Sequence, residues 1–401
     1  MKKMLKYLSP FAPDQSGACG VLYELGGIIV ICDAGGCAGN ICGFDEPRWF
    51  MKKSAVFSAG LRDMDAIMGR DDKLIQKLSD AQDTLKCKFT AIVATPVPAV
   101  IGTDMKALKR MAEKKTGVPC ITVNAIGTKY YDEGESEAWD KLFREFAGAD
   151  ILDAETSTPD GTKPEPAAEA SGNAKVEEVE LCSLIGVIGA TPLETGYSTS
   201  EPLIQGLKNY GIDEAVIYSM GTGLEEIRKA PEAKKNLVVS AAGIKAAEYL
   251  KKEFGVPYEV GYPFVPDSVV SEVKEYTESL SDEKDEKRVL IIHSQFAANE
   301  VRNIIRNVSN KENVRLRINC ATFFMQDDDY KESGDIRLSG EDALWELISE
   351  EDYDAVIADE DIKRLLTAAG FKGRFIEFPH FAISGRPLDE GRTIHELKYN
   401  S

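Results

Sequence analysis

The sequence predicts an α/β protein made of three modules, each containing a parallel β-sheet. Short apolar runs rich in β-branched residues alternate with helix-length amphipathic segments along most of the chain, and this alternation is typical of βαβ units. The chain has 401 residues, whereas a single hydrophobic core stops growing at about 250–300 residues. More than one domain is therefore expected.

Two segments of unusual composition set the predicted domain boundaries. The first, 153–178, is rich in Pro, Glu, Ala, Ser and Thr with almost no large apolar residue, which is typical of a linker or surface loop. The second is the charge run at 279–288. We therefore predict an N-terminal α/β domain with a cysteine cluster loop over 1–152, a second domain over 179–285, and a third, with a C-terminal return segment, over 286–401.

The predicted elements follow in order. In the first module we predict strands in 26–32, 89–102 and 118–127 and helices in 71–85 and 104–117. In the second we predict strands in 181–190, 212–220, 235–242 and 256–264 and helices in 199–211, 222–233 and 243–255. In the third we predict strands in 289–294, 314–324, 353–359 and 374–385 and helices in 296–310, 341–352 and 361–370.

Composition argues against several function classes. The formal net charge of −19 argues against nucleic-acid binding, because phosphate neutralisation needs clustered Lys and Arg. No apolar run approaches the ~18–20 residues of a membrane span. Residues 1–14 meet Pro10 and Pro13 after a brief apolar stretch, so we predict a docking arm or first strand rather than a signal peptide. These features, with thiols grouped as in metal or redox sites, predict a cytoplasmic protein.

Familiar catalytic motifs are missing from the sequence. It contains no G-x-x-x-x-G-K-[ST] and no G-x-G-x-x-G after a strand, so neither ATP hydrolysis by this chain nor dinucleotide binding is supported. Its three histidines, His293, His380 and His395, form no H-E-x-x-H motif, and G-x-S-x-G is also missing. The common zinc-protease and serine-hydrolase interpretations are therefore excluded.

Four of the eight cysteines lie within a short Gly-rich stretch, at Cys19, Cys32, Cys37 and Cys42. Thiolates at this density are the usual ligands of iron–sulfur clusters, and neighbouring glycines allow backbone N–H groups to approach cluster sulfurs. The spacing matches neither the C-x2-C-x2-C run of ferredoxins nor a C-x2-C zinc knuckle. By spacing alone, a metal site and small buried thiols remain alternatives. We predict core thiols at Cys87, Cys120, Cys182 and Cys320.

The order of motifs resembles a known family. Cys19, the CDAGGC stretch that ends at Cys37, Trp49, and then TPVPAVIGTDMKAL and TGVPCITVNAIG are similar to the first domain of nitrogenase component 1 proteins. The similarity continues through SLIGVIGATPL, RKAPEAKKNLVVSAAGIKAAEYLKKEFGVPY and PHFAISGRP, and so covers nearly the whole chain. It implies three Rossmann-like domains with parallel sheets around a central cleft.

The resemblance assigns metal-binding positions. Cys19 and Cys37 match two cluster-ligand positions, whereas the place of a third family cysteine is taken here by Pro96, which cannot ligate iron. A 4Fe-4S cluster needs four ligands, so we expect a cluster shared across a subunit interface, with the partner supplying the other ligands. Cys32 and Cys42 are predicted as further cofactor-binding candidates, with burial beside the site as the alternative.

The resemblance also bears on the central cleft. Ser240 stands where nitrogenase has the cysteine that ligates its active-site metallocluster, so we expect no FeMo-type cofactor and no reduction of dinitrogen. His380 is retained, and we predict it to be catalytic, as a proton donor or an axial ligand to a bound substrate; a structural histidine is the alternative. Side chains that we expect in the cleft or near His380 are Thr128, Lys129, Tyr131 and Arg386.

These expectations combine into a functional hypothesis. The resemblance implies a subunit of a nitrogenase-like oxidoreductase that accepts low-potential electrons from an ATP-hydrolysing iron protein through an interfacial iron–sulfur cluster and reduces an unknown, probably organic, substrate. Its partners would be that iron protein and a second component 1-like subunit in a homo- or heterodimer or a heterotetramer. Two alternatives are a cofactor maturation scaffold of the same fold without turnover and a small-ligand-binding α/β protein.

Overall fold

The computed structural model describes residues 5–52, 54–149, 184–281 and 285–384. Outside these ranges lie the predicted linker at 153–178 and the residues Cys182, Arg386 and His395.

The first sheet has four parallel strands in the order β2-β1-β3-β4. They are β1 Ile28–Ile31, β2 Ala55–Ser58, β3 Thr90–Val93 and β4 Cys120–Val123. The helices of this part are α1 Asp14–Leu22, α2 Gly36–Asn40, α3 Asp63–Met68, α4 Asp71–Leu85, α5 Pro96–Ile101, α6 Met105–Thr116 and α7 Tyr131–Phe146. Between α2 and β2 lie a π-helical turn, Ile41–Asp45, and a 3-10 turn, Pro47–Phe50.

The second sheet also has four parallel strands, in the order β6-β5-β7-β8. They are β5 Ile185–Ile188, β6 Ala215–Ile217, β7 Lys235–Val238 and β8 Tyr258–Val260. The accompanying helices are α8 Pro192–Thr195, α9 Glu201–Asn209, α10 Leu224–Arg228, α11 Ile244–Phe254 and α12 Asp267–Ser279.

The third sheet has five parallel strands in the order β11-β10-β9-β12-β13. They are β9 Lys287–Ile292, β10 Leu316–Thr322, β11 Ile336–Arg337, β12 Ala355–Ala358 and β13 Arg374–Glu377. Its helices are α13 Gln295–Glu312, α14 Glu341–Glu350 and α15 Glu360–Ala368.

Burial explains why the apolar runs form parallel strands. Every residue of β1, β3, β4 and β12 is buried, as expected where helices cover both faces of a sheet. Charged residues of α4 and α6 point to solvent, while Leu74, Leu78 and Leu108 pack against the first sheet. The predicted α/β fold with parallel sheets is confirmed.

Helix α7 joins the first two sheets. Its Trp139 and Phe143 are fully buried, and Phe143 packs edge-on against Tyr218 of the second sheet's region. On its other side it touches α1, where Gly17 and Gly134 allow the closest approach. A Cβ atom on Gly17 would lie 2.0 Å from the Tyr131 carbonyl oxygen, so this contact tolerates no side chain.

The residues before α1 form an arm on the third sheet. The backbone N–H groups of Lys6, Tyr7 and Leu8 donate to the Glu341 carboxylate at 2.8–3.1 Å, and the hydrogen bonds to these N–H groups hold the pKa of Glu341 below its usual value although burial opposes them. The Ala12 N–H donates to the Ala382 carbonyl at 2.7 Å. The docking-arm interpretation therefore describes residues 5–13, which contain no strand.

The carboxyl ends of strands from the second and third sheets meet beside α7. Glu194 follows β5, Ser240 follows β7, Ser294 follows β9 and His380 follows β13. We call this group, together with Tyr131 of α7, the central junction. No helix among the described residues is long and apolar enough to cross a membrane.

Candidate functional site

Cys19 lies on α1 and is fully buried. Burial, followed by the negative charge of Glu46, raises the pKa of its thiol well above the usual value, and Cys42 is close enough to contribute. Cys42 itself lies in the π-helical turn and is half-buried, and burial with Glu46 raises its pKa to about 11. Cys19 and Cys42 therefore interact electrostatically in the folded chain, and single π turns of this kind are frequent at functional sites.

Cys37 lies in the first turn of α2 and is half-buried. Burial, followed by the charge of Asp33, raises its pKa, while a hydrogen bond with Thr95 opposes the rise. Asp33 also fixes the helix, because its carboxylate accepts hydrogen bonds from the Ala38 N–H at 2.8 Å and from the Ser58 hydroxyl at 2.6 Å. Cys37 thus faces the start of α5, where Pro96 directly follows Thr95.

Cys32 directly follows β1 and lies on the other face of the first sheet. It is buried with Leu74 and Met105, in a cluster separate from the one that contains Cys19, because successive residues of a strand point to opposite faces. Burial raises its pKa to about 12. This position favours the alternative in which Cys32 is a core thiol. Cys120 and Cys320 are also buried, and Cys87 is half-buried.

A buried arginine anchors the cysteine segment. Arg48 is 1% exposed and pairs with the Glu46 carboxylate through two hydrogen bonds, of 2.7 Å from Nε and 2.6 Å from Nη2. It also donates to the Gly20 carbonyl at 2.6 Å and to the Ser219 carbonyl at 2.7 Å. The guanidinium therefore ties α1, the 3-10 turn and the second sheet together beneath Cys42.

Exposed apolar side chains follow the half-buried cysteines. Phe50 and Met51 are 67% and 59% exposed, and Phe44 is 45% exposed. We call these three residues, with Cys37 and Cys42 of the same segment of the chain, the cysteine face; Met51 also lines the second cavity described below. The neighbouring helix α5 adds Val100, which is 85% exposed. Exposed apolar patches of this kind mark surfaces that bind a partner.

The cysteine donor set fits part of an iron–sulfur site. Thiolates are the ligands that such clusters prefer, and binding would require the thiols, whose pKa values are raised here, to lose their protons. Within the described ranges, no three His, Cys, Asp or Glu side chains are arranged to hold one metal ion. The residues therefore fit a cluster only with ligands from outside this part of the chain.

His380 lies in the central junction and is 4% exposed. Its ring stacks on Phe324 at 4.4 Å between centroids and lies 4.7 Å from the His293 ring. Its Nδ1 accepts from the Ala382 N–H at 3.2 Å, so the hydrogen of the neutral ring lies on Nε2, which has no hydrogen-bond partner among the described residues. Burial lowers the pKa of His380 well below its usual value.

Aromatic side chains fill the space beside His380. Phe11 of the arm packs against Phe323, Phe324 and His380 at 4.9–5.7 Å between centroids. The cavity left among them has a volume of about 10 Å³, which is about the space of one water molecule. In this structure the junction has no room for a large metallocluster.

Buried carboxyl groups surround the centre of the junction. Glu194 is 1% exposed, and its carboxyl oxygens lie within hydrogen-bonding distance of the Tyr131 hydroxyl at 2.7 Å and of the Ser294 hydroxyl at 2.6 Å. Asp132 and Glu135 are also buried. Burial raises the pKa of Glu194 to about 7 and that of Asp132 to about 6, and it also raises the pKa of Glu135 well above its usual value.

The sequence indicated some of these side chains and missed others. Tyr131 was expected in the cleft and lies in the junction, whereas Lys129 is exposed and pairs with Glu133 at 2.8 Å. Glu194 was missed. It follows the strand-like run at 181–190, and the rule that ligands and functional groups gather beyond the carboxyl ends of strands could have indicated it.

A second cavity lies between α9, α12 and α13. It has a volume of about 660 Å³, within the range of small-molecule sites. Its walls include Tyr197, Tyr210 and Tyr262 together with the carboxyl groups of Glu201 and Glu300. This cavity is the feature that bears on the small-ligand-binding alternative.

Together the fold and the two regions define a class: a three-sheet parallel α/β protein with a cysteine-bearing first domain and a buried junction at its strand ends. A family model described as nitrogenase component 1 type oxidoreductase matches residues 17–311. The chain belongs to this family, and the resemblance found in the sequence is confirmed. Members of the family bind metal–sulfur clusters and form multi-subunit complexes that work with an iron protein.

Curated relatives include nitrogenase iron-molybdenum cofactor biosynthesis proteins NifE. The protein from Clostridium pasteurianum is 26% identical over 204 residues, which is 50% of this chain and 38% of the relative. The protein from Klebsiella pneumoniae is 27% identical over 210 residues, 51% of this chain and 41% of the relative. The chain thus spans about two fifths of the length of the relatives it matches.

Solved structures described as nitrogenase Cp1 share the fold. One, at pH 6.5, has a TM-score of 0.60 and 10% identity and covers 100% of this chain and 96% of that chain. Another, at pH 5, has a TM-score of 0.61 and 14% identity, with 99% and 89% covered. At such identities the likeness shows the fold alone.

Proposed function

We propose that this chain is a cluster-bearing subunit of a nitrogenase component 1-type oxidoreductase. Cys19, Cys37 and Cys42 would supply ligands to an iron–sulfur cluster, of the 4Fe-4S type, at the boundary with a second component 1-like subunit. An ATP-hydrolysing iron protein would deliver the electrons, and the substrate would be an organic molecule rather than dinitrogen. When bound, the cluster would carry single electrons between the two proteins.

The cysteine face is the observation that carries this proposal. Cys37 and Cys42 are half-buried beside apolar side chains that are exposed, and Cys42 lies close to the buried Cys19. A second subunit seated on this face would cover Phe44, Phe50 and Met51 and could bring the missing ligands to the same place. Incomplete ligation within the described chain and an uncovered apolar rim then have one common explanation.

Residues beside the cysteine face and residues of the central junction would have different roles. Arg48 and Glu46 hold the segment in place, and the positive charge of Arg48 opposes the rise in the pKa of Cys19. In the central junction, His380 is the proposed proton donor because its Nε2–H has no partner among the described residues and its ring lines the small cavity. Access for a substrate there requires Phe11 and Phe324 to move.

Anaerobic reconstitution tests the cluster. The chain, purified with its natural partner, is expected to hold about two iron and two sulfide atoms per chain, the share of a 4Fe-4S cluster divided between two chains. Cys19→Ala, Cys37→Ala and Cys42→Ala are each expected to lower the iron content and change the EPR spectrum of the reduced complex.

The matched control is Cys87→Ala. Cys87 is also half-buried but precedes β3, at the opposite end of the first sheet from the cysteine face. This variant should keep the iron content and spectrum of the unmodified complex. Iron well below two atoms per chain, with a spectrum that none of the three cysteine variants changes, would contradict the proposal.

A maturation scaffold is the second candidate, because the matched curated relatives are named as cofactor biosynthesis proteins. A scaffold would release its cluster to an apo acceptor and would show no electron uptake from an iron protein. Mixing the iron-loaded complex with apo acceptor, and separately with reduced iron protein and ATP, distinguishes the two. Oxidation of the iron protein without loss of cluster iron favours the oxidoreductase.

A further inference from the structure

The Glu194 side chain lies in the central junction, among groups from several elements. It belongs to α8, and the titratable groups around it are Tyr131, Asp132 and Glu135 of α7, Tyr262 after β8, and His293 after β9. Within the described ranges, no lysine or arginine makes a hydrogen bond or ion pair with the Glu194 carboxyl group. Its surroundings therefore offer hydroxyl groups and other acids instead of a counter-ion.

A continuous line of hydrogen bonds begins at this carboxyl group. The Ser294 hydroxyl lies 2.6 Å from Glu194 Oε1 and 3.2 Å from His293 Nδ1. His293 Nε2 lies 3.0 Å from the Pro379 carbonyl oxygen. On the other carboxyl oxygen, Oε2, the hydroxyl groups of Tyr131 and Ser240 lie at 2.7 and 3.4 Å.

The donors and acceptors along this line can be counted. A carbonyl oxygen only accepts, so His293 Nε2 carries a hydrogen and, in the neutral ring, the lone pair of Nδ1 is available to accept one. The only hydrogen available to Nδ1 along this line is that of the Ser294 hydroxyl. If Ser294 donates to His293, its oxygen can only accept from Glu194 Oε1, and the short contact then requires a hydrogen on that carboxyl oxygen.

We propose that Glu194 is protonated in the resting protein and that Glu194, Ser294 and His293 form a buried proton relay. One proton passes from Glu194 Oε1 to the Ser294 oxygen while the Ser294 hydrogen passes to His293 Nδ1. The products are a Glu194 carboxylate and a His293 imidazolium. Protons and charge balance within the line, so no further reactant is needed.

The surroundings support the neutral form at rest. A charged carboxylate in this place would lie near two other buried acids, Asp132 and Glu135, and Glu135 Oε2 already lacks a hydrogen-bond partner in the described part of the chain. Burial also disfavours the imidazolium and lowers the pKa of His293 to about 4. The relay therefore holds its proton on Glu194 until a change in the junction stabilises charge on His293.

The position of His293 suggests a role for the relay, and this inference rests on the proposed oxidoreductase function. Its ring lies 4.7 Å from that of His380, and both histidines line the small cavity. Reduction of an organic substrate consumes protons as well as electrons, and both histidines are buried. We infer that Glu194 is the storage group that supplies a proton to His293 through Ser294, beside the His380 ring.

Infrared difference spectroscopy of the whole chain at about pH 6 tests where the proton lies. The unmodified protein should show the C=O stretch of a protonated carboxyl group that Glu194→Gln removes. The glutamine keeps a hydrogen-bond donor for Ser294, so the fold should remain. Identical spectra in the protonated-carboxyl region, or growth of a carboxylate band only in the unmodified protein at this pH, would overturn the proposal.

Nitrogen-15 NMR of the histidine rings tests the line itself. We expect a neutral His293 ring with hydrogen on Nε2, a displaced Nδ1 resonance in Ser294→Ala, and its return in Ser294→Thr, which restores a hydroxyl. Ser240→Ala is the matched control because, of the two Glu194 carboxyl oxygens, Ser240 contacts only Oε2, and it should leave the His293 Nδ1 resonance unchanged. Ser294 makes no capping bond to α13, so helix loss should not accompany its replacement.

These measurements use the resting protein and do not depend on turnover. An unchanged His293 Nδ1 resonance in Ser294→Ala, or a doubly protonated His293 near neutral pH, would overturn the relay even if the chain proves to bind a cluster. Conversely, a confirmed relay in a chain that binds no iron would leave the proton assignment intact and remove the proposed function.

Discussion

The cysteine face and the central junction differ in whether the described residues of this chain supply all the groups that each region needs. At the face, half-buried thiols stand beside exposed apolar side chains, and no complete set of metal ligands lies within the described residues. At the junction, side chains from all three sheets' regions fill the space and most polar atoms have partners. Under the proposed function, another molecule would supply the remaining ligands of the first region, whereas buried aromatic side chains already fill the second.

Under the proposed function, this difference would place cluster binding and substrate binding under separate structural control. A partner can bind to the cysteine face without moving the core, because the Arg48–Glu46 pair fixes the position of the chain segment around it. A substrate can enter the junction only by displacing buried groups such as Phe324. Substitutions should therefore have large effects on stability at the junction and at the anchor, and small effects on the face itself.

The largest expected effect is that of Arg48→Met. It leaves Glu46 buried without its counter-ion, which should lower the free energy of unfolding by about 4 kcal/mol, measured by denaturant unfolding. Arg144→Met is the control, since the Arg144 pair with Asp140 is 53% exposed on the arginine side and should contribute less than about 1 kcal/mol. Equal losses in the two variants would contradict the anchoring role.

A second comparison sets Phe324→Ala against Phe50→Ala. Phe324 is 3% exposed, and its removal should cost about 3 kcal/mol because a cavity remains beside His380. Phe50 is 67% exposed, and its removal should cost less than about 0.5 kcal/mol while weakening association with the partner subunit. The midpoint of chemical unfolding and the dissociation constant of the complex measure the two effects. A stable Phe324→Ala protein would show that the junction is loosely packed.

The sequence predicts a region well when residues close in sequence form it, and poorly when its contacts join residues that are far apart in sequence. The segment 71–85 forms α4 with the predicted bounds, because its apolar periodicity is local. The run at 89–102 was predicted as one strand, but it contains β3 and then α5. Thr95 caps α5 and Pro96 is its first residue, and both are favourable helix-start signals that the apolar composition of the run concealed.

The site shows the same limit. Cysteine density pointed to the face, because those residues are close in sequence. It could not show that Cys32 lies on the other side of the sheet from Cys19, which depends on the pleat of β1. Glu194 meets Tyr131 and Ser294 across 63 and 100 residues, so its place after a predicted strand indicated a candidate position but not these contacts.

A third prediction concerns pH and the junction. Because burial raises the pKa of Glu194 to about 7, the folded chain binds more protons than the unfolded chain between about pH 4.5 and 7. Its contribution to stability is present at low pH and is lost as pH rises through about 7, by about 2 kcal/mol from pH 5 to pH 8. Glu194→Gln should remove this part of the pH dependence in unfolding measurements, and parallel curves for both proteins would contradict it.

The smallest expected effect on stability separates two cysteines that the sequence places only five residues apart. Cys37→Ala should change the free energy of unfolding by less than about 0.5 kcal/mol, because the side chain is half-buried on the cysteine face. Cys32→Ala should cost about 1 kcal/mol, because it leaves a small cavity among Leu74 and Met105. The iron content of the reconstituted complex should change in the opposite sense, with a loss in Cys37→Ala and none in Cys32→Ala. A variant of Cys32 that folds normally but loses iron would make Cys32 a ligand and would require β1 to turn its carboxyl end toward the face.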